Sequence, residues 1–173
     1  MTGPRRAPQK PVFLYTEEQR MRRDSTKWTV IQAVLAPVQF LVFLVSLGLV
    51  LRYLWTGAGY DAATLSILIK TAFLLCIMVT GAIWEKVVFG QYLFAHAFFW
   101  EDVFSMMVIA LHLAYVWAVF TQALAPAEEM WLALAAYAAY VINAGQFVWK
   151  LRRARLQAAN ASVVEPLTKE AAA

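Results

Sequence analysis

Four long runs of apolar residues constrain this chain more than any other feature of its sequence. They extend over about 28–51, 62–84, 103–124 and 130–149. Each run can cross a bilayer as a helix, which needs roughly 20 apolar residues. The chain has 173 residues, of which 62% are hydrophobic and only 15% charged. This hydrophobic share is larger than the core of a soluble protein needs. The sequence therefore predicts an all-α integral membrane protein built as a four-helix bundle.

The pattern divides the chain into three parts. Residues 1–27 form a polar N-terminal segment, 28–155 the four-span membrane domain, and 156–173 a flexible C-terminal tail. Within the first part, we expect a loose tail over 1–11. Thr16 is followed by two glutamates and then by Gln19, which is typical of the capped start of a short helix at the membrane interface.

The distribution of charge predicts the orientation in the membrane. Lysine and arginine are concentrated in the two ends of the chain, whereas the loops after the first and third spans have almost none. By the positive-inside rule both termini, and the connector over 85–102, face the cytoplasm. The net charge of +4 is then explained by topology and by contacts with anionic lipid headgroups, so the bilayer is an expected partner and nucleic acid is not.

Each predicted span has polar residues spaced so that they share one helical face. Such faces can point inward around a partly polar cavity, or their amides and hydroxyls can simply hold the helices together. Lys70 and His112 are the ionisable groups deepest in the spans. Their depths allow them to meet near the midplane, while a hydrogen bond between helices or a snorkelling lysine explains each residue equally well. The four stripes are Gln32, Gln39 and Ser46; Lys70, Gly81 and Glu85; Glu101, Ser105 and His112; and Asn143, Gln146 and Lys150.

Acidic and aromatic residues gather where the second span ends and the third begins. Glu85, Glu101 and Asp102 supply carboxyl groups there. Interfacial aromatic side chains normally anchor helices, but their density here also suits a slot for a large flat ligand. The combination predicts an acid/base site beside a hydrophobic ligand. The aromatic residues are Trp84, Phe89, Tyr92, Phe94, Phe98, Phe99 and Trp100.

Several segments resemble a known family. The likeness is strongest over 78–94 (MVTGAIWEKVVFGQYLF), 98–103 (FFWEDV) and 140–153 (YVINAGQFVWKLRR), and it includes 14–20 (LYTEEQR) and 23–28 (RDSTKW). These segments resemble the 3-vinyl (bacterio)chlorophyllide hydratases of phototrophic bacteria. The resemblance implies addition of water to the 3-vinyl group of chlorophyllide a, or of a related pigment, to give the 3-(1-hydroxyethyl) product during bacteriochlorophyll synthesis. It also implies a bacterial cytoplasmic or intracytoplasmic photosynthetic membrane, with other enzymes of pigment synthesis as candidate partners.

The chemistry of hydration needs no electrons, so we expect no cofactor. A protonated carboxyl can deliver a proton to the terminal vinyl carbon, while a carboxylate activates water and stabilises the cation. Glu85 and Glu101 are the first choice for this pair, because each lies on the inward face of its helix. Asp102 is the third catalytic candidate, but it lies about 100° around the helix from Glu101, so only one of these two should face the same cavity.

Other polar residues are candidates for binding the substrate. His112 can be an axial ligand of the magnesium that the pigment carries, or it can form a hydrogen bond between helices; the protein needs no metal of its own. Lys70 can pair with a carboxylate, and Lys86, Lys150 or Arg152 can bind the free propionate. Trp84, Trp100, Asn143 and Gln146 complete the predicted binding set. The alternative function is a non-catalytic pigment carrier or an assembly factor for a photosynthetic complex.

Overall fold

A computed structural model describes residues 14–170, with side chains described for 14–156. These residues form five helices and no strand: α1 (Glu17–Ser25), α2 (Lys27–Thr56), α3 (Tyr60–Phe89), α4 (Phe99–Thr121) and α5 (Pro126–Glu170). The all-helical prediction is confirmed for this part of the chain. The loose tail predicted over 1–11 lies outside the described residues.

Helix α1 begins at the predicted cap. Thr16 accepts a hydrogen bond from the Gln19 amide at 3.2 Å, and the Gln19 side chain accepts one from the Thr16 amide at 3.0 Å. This reciprocal pair satisfies backbone donors that a helix start otherwise leaves free. A single residue, Thr26, separates α1 from α2 and caps the second helix through Trp28.

The four longer helices are each long and apolar enough to cross a membrane, as predicted. Helices α2, α3 and α5 extend past both ends of the predicted spans, because hydropathy marks only the hydrocarbon portion, whereas a helix continues through interfacial polar residues. Helix α4 begins before its predicted span but ends three residues short of it, at Thr121, where Gln122 adopts a left-handed conformation. The difference is largest for α5, which continues to Glu170 through most of the segment predicted as a tail. Many large apolar side chains on these helices point outward, including Val45, Trp117 and Phe120. An apolar exterior is typical of a multi-pass membrane protein.

Two helical hairpins make up the packing. Helix α2 packs mainly on α3, and α4 mainly on α5, with fewer contacts between the hairpins. All four long helices contribute to one buried cluster that includes Phe43, Ile67, Tyr115 and Tyr137. Inside this apolar core the predicted polar faces point inward, as the sequence indicated. The buried polar residues on them include Gln39, Ser46, Lys70, Glu85, Glu101, Asp102, His112 and Asn143.

Candidate active site

The candidate site lies where α3 ends and α4 begins, around the connector 90–98. Glu85 and Asp102 are brought there from the two helices, and both side chains are buried. Asp102 accepts a hydrogen bond from the Phe94 amide at 2.7 Å, and Glu85 accepts one from the Ala95 amide at 3.3 Å. The two carboxyl groups are therefore bound by consecutive backbone amides and lie side by side.

An unusual backbone conformation at Phe94 makes this arrangement possible. Its φ angle is 58°, in the left-handed region that residues other than glycine rarely adopt. Successive amides around a left-handed residue can point to one side and form a concave anion site. A phenylalanine in this conformation costs about 1–2 kcal/mol, which the two hydrogen bonds to buried carboxyl groups offset.

Glu101 takes a different partner from the one that the sequence suggested. Its carboxylate accepts a hydrogen bond from Lys150 of α5 at 2.6 Å, while Asp102 rather than Glu101 meets Glu85. The reason is the 100° rotation between adjacent helical residues, which turns Asp102 toward α3 and Glu101 toward α5. Glu101 and Asp102 thus point in different directions, and Asp102, not the favoured Glu101, is the residue bound beside Glu85 on the connector.

The Glu101–Lys150 pair is partly buried, so each member depends on the other. We expect Lys150→Met to lower the free energy of unfolding by about 2 kcal/mol, because the Glu101 carboxylate keeps its burial and loses its charged donor. Unfolding in detergent micelles measures this change. The double variant Glu101→Gln/Lys150→Met is the control, and we expect it to regain most of the loss. A double variant that loses as much as the two single changes combined would contradict the pairing.

Six of the seven aromatic residues predicted to form one slot belong instead to two clusters. The seventh, Tyr92, is exposed, with Lys86 Nζ 5.4 Å from its ring centroid. The inner aromatic cluster consists of Tyr15, Trp84, Phe89, Phe98 and Phe147, which pack against one another with ring centroids 5.7–6.4 Å apart. Trp84 is further held by a 2.9 Å hydrogen bond to Thr29. These rings pack closely against one another, so we interpret the inner aromatic cluster as part of the hydrophobic core.

The outer aromatic cluster consists of Phe94, Phe99 and Trp100. Phe99 contacts the other two rings at 5.8 and 5.5 Å, and the three side chains are 40–67% exposed. Exposed aromatic rings at a helix end are typical of anchors at the membrane interface and also suit contact with an apolar ligand. Because the Phe94 amide also holds Asp102, this surface is joined directly to the carboxyl pair.

Tyr15 is a part of the site that sequence reasoning missed. It precedes α1, stacks on Phe89, and lies under the Arg23 guanidinium, 4.9 Å from its ring centroid. Burial raises the pKa of its hydroxyl. Tyr15 lies in segment 14–20, which carries part of the family resemblance, and this was the sequence signal that could have pointed to it. No local pattern showed that α1 would fold back over the end of α3.

Lys70 and His112 meet, which is one of the arrangements that the sequence allowed. The Lys70 Nζ lies 2.8 Å from His112 Nε2, and both side chains are completely buried. His112 Nδ1 contacts the Val108 carbonyl at 2.7 Å, so Nδ1 is the donor and Nε2 accepts from the lysine. The lysine has no carboxylate partner among the described residues, contrary to prediction; it lies over the rings of Tyr137 and Tyr140.

This geometry bears on the other predicted ligand sites. Both ring nitrogens of His112 are engaged, so binding a magnesium ion would require Nε2 to leave Lys70. Lys86 is exposed and donates to the Gly90 carbonyl at 2.7 Å, at the end of α3, while Arg152 is exposed on α5. Within the described part of the chain, no group of three or more potential ligand side chains is placed to hold a metal ion.

Comparison with known proteins gives closely similar relatives. Residues 15–153 match the family described as 2-vinyl bacteriochlorophyllide hydratase. A 2-vinyl bacteriochlorophyllide hydratase from Rhodobacter capsulatus is 70% identical over 156 residues, which cover 89% of this chain and 91% of the relative. One from Cereibacter sphaeroides is 73% identical over 143 residues, covering 83% and 89%. No solved structure matches the chain.

Proposed function

Because the chain belongs to the 2-vinyl bacteriochlorophyllide hydratase family and is a hydratase of bacteriochlorophyll synthesis, we propose that it hydrates the vinyl group of chlorophyllide a with Glu85 and Asp102 as its acid/base pair. The product would carry a 1-hydroxyethyl group in place of the vinyl group, at position 3 of the macrocycle. The binding of these two buried carboxyl groups by consecutive backbone amides is the observation that supports the mechanism. The bacterial cytoplasmic or intracytoplasmic membrane, with both termini cytoplasmic, is the proposed location.

The carboxyl pair suits the chemistry of the addition. A hydrogen bond between two carboxyl groups needs one proton between them, and this proton is available for the terminal vinyl carbon. Protonation leaves a cation on the inner carbon, which the conjugated macrocycle spreads and the neighbouring carboxylate stabilises. A water oxygen then bonds to the inner carbon, and the proton that this water loses restores the pair. The sum is the addition of one water molecule with no change of redox state.

The outer aromatic cluster supplies a surface for the macrocycle. Phe94, Phe99 and Trp100 offer flat apolar rings to a flat apolar ligand, next to the carboxyl groups. Since Glu85 and Asp102 are only 5% and 3% exposed, the vinyl group reaches them when the connector around Phe94 shifts. Binding at the outer cluster would favour that shift, because the same residue carries a ring of the surface and an amide of the site.

A direct assay tests this function. We expect membranes containing the chain, incubated with 3-vinyl chlorophyllide, to give a pigment with a blue-shifted absorption band and the mass of one added water. Control membranes lacking the chain should leave the substrate unchanged. NMR of the product would locate the new hydroxyethyl group. The carrier alternative predicts pigment binding without turnover, and the hydratases among the relatives do not favour it.

A Trp100 variant tests the proposed ligand surface. Trp100 is 67% exposed and makes no hydrogen bond among the described residues, so Trp100→Ala should leave the fold intact. We expect KM for the pigment to rise about tenfold, because a large ring loses its contact with the macrocycle, while kcat changes little. Trp55→Ala is the matched control, because it removes an 85% exposed tryptophan at the C-terminal end of α2. Equal KM values for the two variants would contradict the proposed surface.

A further inference from the structure

Two buried amide oxygens on α5 have no hydrogen-bond donor. They are Asn143 Oδ1 and Gln146 Oε1, and neither has a partner among the residues whose side chains are described. Asn143 is 92% buried, as its exposed fraction is 8%. An amide oxygen removed from water without a donor is costly, so buried acceptors in folded proteins are normally satisfied. The two oxygens therefore indicate a bound donor at this place.

The hydrogen-bond network fixes the orientation of Asn143. Ser105 donates its hydroxyl proton to the Glu101 carbonyl at 2.8 Å, so its oxygen can only accept from Asn143. The Asn143 group that lies 2.8 Å from Ser105 must then be the amide nitrogen. Rotating the amide by 180° would make the Glu101 carbonyl and Asn143 Oδ1 compete for the one Ser105 hydroxyl proton, so one of the two hydrogen bonds would be lost. The free oxygen is thus a consequence of the network, and it must face away from Ser105.

The two oxygens belong to residues on the face of α5 that packs against α4. Asn143 and Gln146 are three residues apart, so they share a face of α5, and Lys150 follows on the same face one turn later. Ser105 lies one turn beyond Glu101 and Asp102 on α4. The Asn143–Ser105 and Lys150–Glu101 hydrogen bonds join these faces. The orphaned acceptors therefore lie at the α4–α5 interface, on the same side of α4 as Glu101, which is one residue from Asp102 in the sequence.

We propose that Asn143 and Gln146 bind the water molecule that the reaction consumes. This inference rests on the proposed function. Water has two O–H donors, which match two acceptors on one helical face, and buried waters typically make about three hydrogen bonds. With both protons held by amide oxygens, a lone pair of the water oxygen is directed toward the cation. The water oxygen forms the new C–O bond and becomes positively charged. One of its protons then leaves the hydrogen bond to an amide oxygen and passes to the carboxylate left by the first step, which is the stronger base.

A two-acceptor site also discriminates between nucleophiles. Methanol has a single O–H donor, so it would leave one of the two amide oxygens unsatisfied and would need space for its methyl group. The intact site should therefore exclude methanol as a competing nucleophile. Asn143 and Gln146 act here as positioning residues for water, and the identity of the product reports directly on that role.

The test is a competition between water and methanol. The full chain in membranes is given 3-vinyl chlorophyllide with and without added methanol, and the alcohol and methyl ether products are separated by mass. We expect wild type to give the alcohol almost exclusively. In Asn143→Ala and Gln146→Ala the ratio of ether to alcohol should rise about tenfold, which corresponds to the loss of roughly one hydrogen bond. Gln32→Ala is the control, because that amide donates to Thr80 between α2 and α3.

The possible outcomes are distinct. A purely structural role for these amides would lower the rate and leave the product ratio at its wild-type value, and that result in both variants would overturn the inference. Gln146 is half-buried, so Gln146→Ala remains informative if Asn143→Ala does not fold. Absence of hydrated product from wild type in water would instead contradict the proposed function itself. A raised ether fraction confined to the two α5 variants supports the water site.

Discussion

Glu85→Gln is expected to lower kcat for hydration by about 10²- to 10⁴-fold, the range typical for loss of a general acid or base. The amide keeps the size of the side chain and can still hydrogen-bond, but it cannot deliver a proton to the vinyl carbon. Asp102→Asn should have a similar effect. Because the two groups share one task, the double variant should be little worse than either single one. Single-turnover formation of the hydrated pigment measures the chemical step.

Two further carboxyl variants make this prediction specific. Glu128→Gln changes an exposed carboxylate at the start of α5 and should leave the rate unchanged. Glu101→Gln separates the two possible pairs. A loss with Glu101→Gln as large as that with Glu85→Gln, combined with full activity in Asp102→Asn, would favour the pair predicted from the sequence over the pair in contact.

His112→Leu is expected to lower the free energy of unfolding by about 3 kcal/mol. The change leaves the Lys70 amine buried without its acceptor, and a polar group left in that position is strongly destabilising. In Lys70→Met/His112→Leu both polar groups are replaced by apolar ones of similar volume, so most of the stability should return. Unfolding in detergent micelles, followed by helical signal, gives the three values on one scale.

The double variant also separates two roles of His112. If the histidine serves as a hydrogen-bond partner between α3 and α4, the double variant should regain stability and pigment binding together. Regained stability with pigment binding still lost would point to the axial-ligand role predicted from the sequence. A double variant no more stable than His112→Leu would show that the Lys70–His112 contact is not the source of the effect.

Local patterns carried much of the fold. Hydropathy located four membrane helices, because an apolar run of sufficient length is itself the physical requirement for crossing a bilayer. Helical periodicity placed Lys70 and His112 on inward faces, and Thr16 with Gln19 marked the start of α1, since both signals act between residues a few positions apart. The predicted helix ends were less accurate, because polar residues at the membrane interface can continue a helix.

The candidate site depended on contacts that no local pattern contains. Sequence periodicity showed that Glu101 and Asp102 point in different directions, but not which of them would face Glu85. The rotation of α4 about its axis and the left-handed backbone at Phe94 determine which carboxyl group faces Glu85. Because residue 94 is not a glycine, the sequence does not indicate the left-handed conformation. The aromatic residues likewise divided into a packed inner cluster and an exposed outer one only through helix packing. The sequence by itself determined the membrane helices and the residues with the right chemistry, because burial and periodicity are local properties. The tertiary structure alone decided which carboxyl groups meet, since that depends on how two helices and their connector are rotated against one another.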